Sequence, residues 1–352
     1  MHALETTRYT SRHLTADRPA RRGFSLIEVV VVISIIGVLT SLILPAVMRA
    51  RESARRTQCL NNIRQIAIAL QAFESTHRRY PYAYGKGFLR DYSPLAQLLP
   101  HLEEDAVYNT INFSPVDRGS PVDWGVRDAE AGRFGRMRIE VFLCPSDPHA
   151  RGADFGGTNY RGNLGTHPTW GCHPTVPGPT DPIGGDGFFY GVRAKQQPGG
   201  RGADVRDGLS HTVAFAERLV GTGARAPYPE GNYFTAGPIE TGGGCWTRDD
   251  WIRRCRAITR DHPDVNMQMG HWWLYAGYDN TFYNHILAPN SPTPDCGEQY
   301  SGVVTARSWH RGGVNVAMAD GQARFVSERI SLEAWRALGS RASGDLVDAE
   351  TF

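Results

Sequence analysis

The sequence predicts an α+β fold: a long N-terminal helix, apolar in its first half and amphipathic in its second, packed on a β-rich globular head with long loops. Three observations predict it. Phe24 to Leu44 is an apolar run of the length that crosses a bilayer as a helix. From Pro45 to the late seventies apolar residues recur at helical spacing. Beyond Tyr80, glycine, proline and aromatic residues separate short apolar runs, and two alternating segments flank Asp320-Gly321 near the end.

The apolar run contains one residue foreign to it. Glu28 is a carboxylate in a segment where ionised side chains cost roughly 2.5–3.5 kcal/mol on insertion scales, so it demands a functional reason. The preceding residues are basic. Residues 1–23 carry Arg8, Arg12, Arg18, Arg21 and Arg22 against Glu5 and Asp17, a net +3 in a chain whose total is +2, which leaves about −1 for the rest. Positive charge therefore sits just ahead of the apolar run, as on a cytoplasmic flank. The small total, with no broad basic surface implied, speaks against a nucleic-acid protein.

Arg21-Arg22-Gly23-Phe24, with Glu28 fifth from Phe24, resembles the signature of type IV prepilins and type II secretion pseudopilins. The resemblance implies that a prepilin peptidase cuts between Gly23 and Phe24 and that the new Phe24 terminus is N-methylated. It implies that Glu28 pairs with the terminal amine of a neighbouring subunit during assembly. Pro45 falls where many pilins carry a kink-forming proline. An ordinary signal peptide has a shorter apolar core and an A-x-A-like end, which this chain lacks. A twin-arginine signal is the other reading of Arg21-Arg22-x-Phe24.

The resulting organisation is a leader over 1–23, a transmembrane helix over 24–45, its amphipathic continuation over 46–77 and an extracytoplasmic head over 78–352. In the continuation Leu60, Ile63, Ala67, Leu70 and Phe73 form one stripe, with Arg55, Arg56, Arg64 and Gln71 between them. The helix should stop before Arg79-Tyr80-Pro81, because proline disfavours helix at the residue before it. At 1.5 Å per residue it would be roughly 80 Å long.

In the head, a helical piece interrupted by Pro100 is expected over Pro94–Ile111. Strands are expected at Ile139–Leu143, Val213–Glu217 and Val303–Ala306. The stretches 171–197 and 221–299 hold few periodic runs and read as insertions or long loops. Gly313–Ala319 and Gln322–Val326 alternate around Asp320-Gly321, which reads as a hairpin with a two-residue turn. A last helix is expected over Ser331–Leu338 with Ser331 as N-cap.

A second resemblance covers nearly the whole chain after the leader. It rests on Leu99-Pro100-His101-Leu102-Glu103, Phe142-Leu143-Cys144-Pro145-Ser146-Asp147-Pro148, Asn159–Thr166, Asp204–Thr212, and His310 placed ahead of Asp320-Gly321. Together these resemble a large bacterial family of pilin-like proteins, a domain of unknown function with an H-x9-DG C-terminal signature. Arg311 stands where that pattern has proline, and Leu209-Ser210-His211 replaces the commoner Thr-Ser-Asn. The resemblance implies an export route and an architecture, and no biochemical activity.

Other chemistry is thinly signalled. His310 and Asp320 invite a catalytic or metal reading, yet on an extended strand they lie about 30 Å apart, so a turn aspartate and a locally bonded histidine are expected. Asn159, Asn163 and Asp186 would ligate calcium if they converge, as several pseudopilin heads do. Cys59, Cys144, Cys172, Cys245, Cys255 and Cys296 permit up to three disulfides in an exported chain, or a mixture of bridges and buried thiols. Trp246, Trp251, Trp272, Trp273, Tyr275, Tyr278, Phe282 and Tyr283 would stack on sugars or dock a partner if exposed together, and otherwise fill the core. No HExxH, GxSxG or GxxxxGK[ST] string occurs, so no enzyme is expected.

The expected molecule is a single-pass inner-membrane subunit of a type II secretion or type IV pilus-like filament, with a periplasmic or cell-surface head. Its partners would be the prepilin peptidase, other pilin-like subunits and the inner-membrane assembly machinery. The alternative is a membrane-anchored binding module whose head recognises carbohydrate or protein.

Overall fold

The computed structural model describes residues 25–83, 92–111, 113, 133–134, 137–150, 156–168, 185–190, 199–223, 233–235, 247–259, 265–266, 268–297 and 301–345. The chain divides into a first compact unit ending at Arg51 and a second beginning at Glu52.

Helix α1, Leu26–His77, supplies nearly all that is described of the first unit and continues into the second. Every residue from Ser25 to Arg51 is exposed, and the segment is long and apolar enough to cross a membrane. Its few polar side chains bond to the helix itself. Ser34 Oγ donates to Val30 O at 2.7 Å, Thr40 Oγ1 to Ile36 O at 2.8 Å and Ser41 Oγ to Val38 O at 2.7 Å. That removes the cost of bare hydroxyls in hydrocarbon. Pro45 lies inside the helix and has no N–H to give the preceding turn.

In the second unit the same helix carries one buried stripe. The expected Ile63, Ala67, Leu70 and Phe73 are joined by Cys59, Asn62, Ile66 and Ala69, and Leu60 is half-buried at the margin. The helix ends at His77, and Arg78 adopts a left-handed φ of 57° that turns the chain away. Tyr80 N then donates to Gly200 O at 2.7 Å.

The helical piece after Ser93 is broken as Pro100 demands. Ser93 caps α2, Pro94–Leu98, with its side chain accepting from Ala96 N. A 3-10 turn follows at Leu99–Leu102, ended by Glu103 at φ 64°, before α3, Asp105–Tyr108. The strand expected at Ile139–Leu143 is instead a 3-10 turn, Glu140–Phe142. Buried Ile139 and Phe142 stand three apart and flank an exposed Glu140, the three-residue spacing of that helix.

Two sheets follow, built from β1 (Tyr160–Asn163), β2 (Val213–Glu217), β3 (Tyr233–Thr235), helix α4 (Arg248–Arg256), β4 (Val265–Asn266), β5 (Phe282–Tyr283), β6 (Cys296–Gly297), β7 (Gly302–Val303), β8 (Gly313–Met318) and β9 (Ala323–Ser327). The larger runs β5-β1-β2-β8-β9, antiparallel except for the β1/β5 pair. β2 and β8 are buried along their whole length. The hairpin pairs Val314 with Val326 and Ala317 with Ala323. Its loop has three residues rather than two: Met318 N donates to Gln322 O at 2.8 Å, and Gly321 sits at φ 91°. Helix α5, Leu332–Gly339, is capped by Ser331, whose side chain accepts from Ala334 N.

The smaller sheet, β4-β3-β6-β7, corrects the reading of 221–299 as loops. Together with α4 it carries its own apolar cluster of Phe234, Trp251, Ile252, Cys255, Ile258, Ile286, Leu287, Cys296 and Val303. A disulfide joins Cys255 to Cys296. The strand expected at Val303–Ala306 shrinks to β7, which is too short to show alternation.

Candidate functional site

Two places gather functional side chains. The first is the start of α1. Gly23 and Phe24 lie outside the described residues, as do Cys172, Cys245 and Trp246. Glu28 is in the first helical turn, and its Oε2 accepts from Ser25 N at 2.8 Å while Val29 N donates to Ser25 O at 3.2 Å. The carboxylate thus satisfies one of the orphan N–H groups of the helix start and lies at the positive end of its dipole.

The second is a buried polar junction in the head. A disulfide ties Cys59 of α1 to Cys144, across a sequence separation of 85. His310 Nε2 lies 3.5 Å from Cys144 Sγ and 3.3 Å from Glu217 Oε1. Asn315 holds that carboxylate from two sides: its N donates to Glu217 Oε2 at 2.8 Å and its Nδ2 to Oε1 at 2.9 Å. On the other face of the imidazole, Glu52 Oε1 stands 3.6 Å from Nδ1 and accepts from Ser146 Oγ at 2.8 Å. His310 bonds locally only through its backbone, whose N donates to Ser308 Oγ at 3.1 Å, and not through its imidazole. The imidazole's partner is 93 positions away, on the central strand β2.

Burial pulls the His310 pKa down, but the hydrogen bond and charge of Glu217, with the charge of Glu52, outweigh it and raise the value above the ordinary one. Burial lifts the Glu52 carboxyl, and the Ser146 hydroxyl, Arg55 and the charge of His310 pull it below its usual range. Burial also drives the Tyr160 phenol well up, aided by Glu217, while its hydroxyl donates to Cys59 O at 3.0 Å.

The loop carrying Cys144 is set by the Cys-Pro-Ser-Asp run. Asp147 Oδ2 accepts from Asn159 Nδ2 at 2.7 Å and from Val220 N at 2.9 Å, and Asn159 Oδ1 accepts from Cys144 N at 2.9 Å. Asn62 Nδ2 reaches Leu143 O at 2.8 Å. Beside this lies a buried ionic row, with Asp295 bonded to Arg218 at 2.8 Å and to Arg307 at 3.0 Å. Burial raises the Asp295 carboxyl, and the charges of Arg307 and Arg218 bring it below the usual range.

The three calcium candidates each have partners inside the fold. Asn159 serves Cys144 and Asp147 as above. Asn163 Nδ2 donates to Val213 O and Gly339 O, and its Oδ1 accepts from Gly165 N. Asp186 accepts from Thr166 N and Thr166 Oγ1, both at 2.7 Å, and faces His167 at 3.2 Å. Burial raises its carboxyl, and the His167 contact, with the Thr166 hydrogen bonds, lowers it to about 2. Asp320 is a turn residue, accepting from Gln322 N at 2.9 Å. Of the aromatic cluster, Trp251, Trp273, Tyr275, Tyr278, Phe282 and Tyr283 are buried and Trp272 is half-buried, so these rings make core.

Sequence reasoning missed Glu217. The signal was available: it is the lone charge in the apolar strand Val-Ala-Phe-Ala-Glu, as Glu28 is in its own run.

The family described as protein of unknown function (DUF1559) matches residues 48–333, spanning the Cys59, Cys144, Glu217 and His310 junction. The chain belongs to that family. His310 and Asp320-Gly321 are thus the C-terminal signature of a DUF1559 protein, one residue in the buried junction and the others in the hairpin loop. The prokaryotic N-terminal methylation motif matches residues 18–44. Relatives agree at that end. Type II secretion system core protein G of Pectobacterium carotovorum subsp. carotovorum is 41% identical over 61 residues, 17% of this chain and 39% of that protein. The Escherichia coli (strain K12) protein of the same name is 39% identical over 61 residues, 17% of this chain and 42% of the relative. In that of Aeromonas hydrophila the match is 39% identical over 143 residues, 40% of this chain and 93% of the relative. In the first two the chain spans less than half of the relative's length. No solved structure matches. This is a pilin-like, membrane-anchored chain with an α+β head.

Proposed function

We propose that the protein is a structural subunit of a type II secretion or type IV pilus-like filament, working by assembly and not by catalysis. A prepilin peptidase cuts between Gly23 and Phe24, and the Phe24 amine is methylated. The first half of α1 then holds the chain in the inner membrane in a single pass. One observation carries the reading: a single carboxylate, Glu28, stands in the first turn of α1, in the apolar part of the helix that is exposed throughout up to Arg51, inside the matched methylation motif.

The chemistry of assembly follows from that placement. In the precursor Glu28 caps Ser25 N. Once cleavage creates a cationic terminus at Phe24, the carboxylate gains a stronger partner, on its own chain or on the next. In hydrocarbon an unpaired ion is costly, so pairing with the amine of an adjacent subunit favours addition in one register. The two described disulfides support an oxidising compartment, periplasmic or at the cell surface, for the head. Charge orients the helix less firmly, because Arg21 and Arg22 precede the span and Arg49 and Arg51 follow it.

N-terminal sequencing and intact mass of the membrane fraction from its own host test this. The expected species starts at Phe24 and is one methyl heavier than the bare chain. A retained leader or another start site sinks the proposal. Glu28→Ala should leave membrane insertion intact and abolish incorporation into filaments. Normal incorporation would remove the role given to the carboxylate.

A further inference from the structure

In the head, Cys59, Cys144, Glu217 and His310 each point one donor atom at a common spot. Their two sulfurs, carboxylate oxygen and imidazole nitrogen all lie within 4.8 Å of one another, and all four residues are buried. We propose that in the chain with Cys59 and Cys144 reduced, these four residues form a tetrahedral zinc site, so that the junction closes either by a disulfide or by a metal.

The donor set suits zinc. Two thiolates, one imidazole and one carboxylate are its preferred ligands, at about 2.3 Å for sulfur and 2.0–2.2 Å for nitrogen and oxygen. Ligand atoms around such an ion stand about 3.3–3.8 Å apart by tetrahedral geometry. Two edges already have that length: His310 Nε2 to Cys144 Sγ at 3.5 Å and to Glu217 Oε1 at 3.3 Å. The sulfur–sulfur edge, closed by a bond in the disulfide, has to open. Four separate elements supply the ligands, which is how a metal fastens a fold rather than a single loop.

The surrounding groups orient the ligands as a metal site requires. Asn315 fixes both oxygens of Glu217. His310 Nδ1 is buried without a hydrogen bond and faces the Glu52 carboxylate at 3.6 Å. A carboxylate behind the imidazole keeps the ring proton on Nδ1 and leaves the Nε2 lone pair for the metal. Asn159 Oδ1 accepts from Cys144 N and sets the backbone of that ligand. A disulfide alone needs none of this. Its sulfurs ask for no polar neighbours, and burying a histidine and a glutamate beside them carries a desolvation cost.

The chemistry balances. A dithiol reductant gives two electrons and two protons to the Cys59–Cys144 bond and becomes a disulfide itself. Zn2+ then displaces to water the two thiol protons and the proton that His310 Nε2 holds against Glu217, which leaves Nδ1 protonated, and takes the freed Nε2 lone pair and one Glu217 oxygen. A newly made chain in a reducing compartment has free thiols, so the metal form is open to it before oxidation.

The test uses the full chain in detergent micelles, reduced by a phosphine that does not chelate, with Co2+ as probe and Zn2+ as competitor. Expected is one Co2+ per chain, with thiolate-to-cobalt charge transfer and tetrahedral d–d bands, displaced by Zn2+ and absent from the oxidised chain. His310→Gln, purified oxidised and then reduced, should bind at least tenfold more weakly, and Cys59→Ser/Cys144→Ser should lose the spectrum. Cys255→Ser/Cys296→Ser should keep it. Equal binding by oxidised and reduced chains, or wild-type affinity in His310→Gln, overturns the site. If the reduced chain loses its tertiary signal, recovery on adding Zn2+ supports the proposal, and failure to recover overturns it.

Discussion

The two halves of α1 are one continuous helix, and only the second uses polar side chains to fasten itself to other elements. Before Arg51, each of the described hydroxyls of Ser34, Thr40 and Ser41 bonds back to its own helix. After Glu52 the exposed hydroxyls of Thr57 and Thr76 still bond back to Ser53 O and Ala72 O. On the packed side, however, polar groups reach out of the helix into the head: Asn62 to Leu143 O, Gln71 to Ala319 O, and Cys59 covalently to Cys144. The difference follows the surroundings each half is built for. In hydrocarbon a polar group must be satisfied within its own segment, whereas a packed interior lets it act as a fastener between elements. One half therefore suits membrane anchorage, and the other carries the stability of the head.

The largest expected effect separates the halves directly. Leu70 is fully buried, so Leu70→Ala should lower the unfolding free energy of the head by about 2–5 kcal/mol, read as the urea midpoint of the buried tryptophans in the full chain in micelles. Ile36 is 52% exposed in the first unit, and Ile36→Ala should leave that midpoint unchanged. Equal losses at both positions would break the division of labour.

A pH series sharpens it. Burial holds the imidazole of His285 down to about 3, stacked on Trp335 with ring centroids 3.8 Å apart. The unfolded chain takes up that proton below about pH 6.5 while the folded head does not. Stability is therefore complete above pH 6.5 and falls by up to about 1.4 kcal/mol per unit as the pH drops from there toward 3. From pH 6.5 to 5 the loss should be about 2 kcal/mol. The helix content of the first unit should not follow, since no histidine lies between Ser25 and Arg51. A His285→Gln chain should be less stable at pH 7 with a flatter slope below it. An unchanged slope would mean another group governs acid sensitivity.

What could be read from the sequence was what is local. The apolar run, the stripe from Ile63 to Phe73, the Gly313–Val326 hairpin and the Ser331 cap each declare themselves within a few residues. Ile139–Leu143 misled because a short apolar run does not distinguish a strand from a tight helical turn. The smaller sheet was invisible because its strands are two or three residues long and its order comes partly from Cys255–Cys296. The Glu217–His310 pair was hidden by 93 residues of separation and by the expectation that His310 bonds locally. Only the oddity of a charge in an apolar strand pointed to it.

The smallest effect is the finest probe of how the halves differ, because it compares like with like. Asn62→Ala removes the donor to Leu143 O and leaves a buried carbonyl beside Cys144 unsatisfied, which should cost about 1–3 kcal/mol in the urea midpoint. Thr40→Ala removes a hydroxyl that bonds only to carbonyls of its own helix, Ile36 O and Gly37 O, and the Ile36 carbonyl keeps its place in the backbone ladder. That change should move the midpoint by less than about 0.5 kcal/mol. If Thr40→Ala destabilises the head as much as Asn62→Ala does, the first half of α1 helps to hold the fold. Its hydroxyls would then have partners other than their own turns.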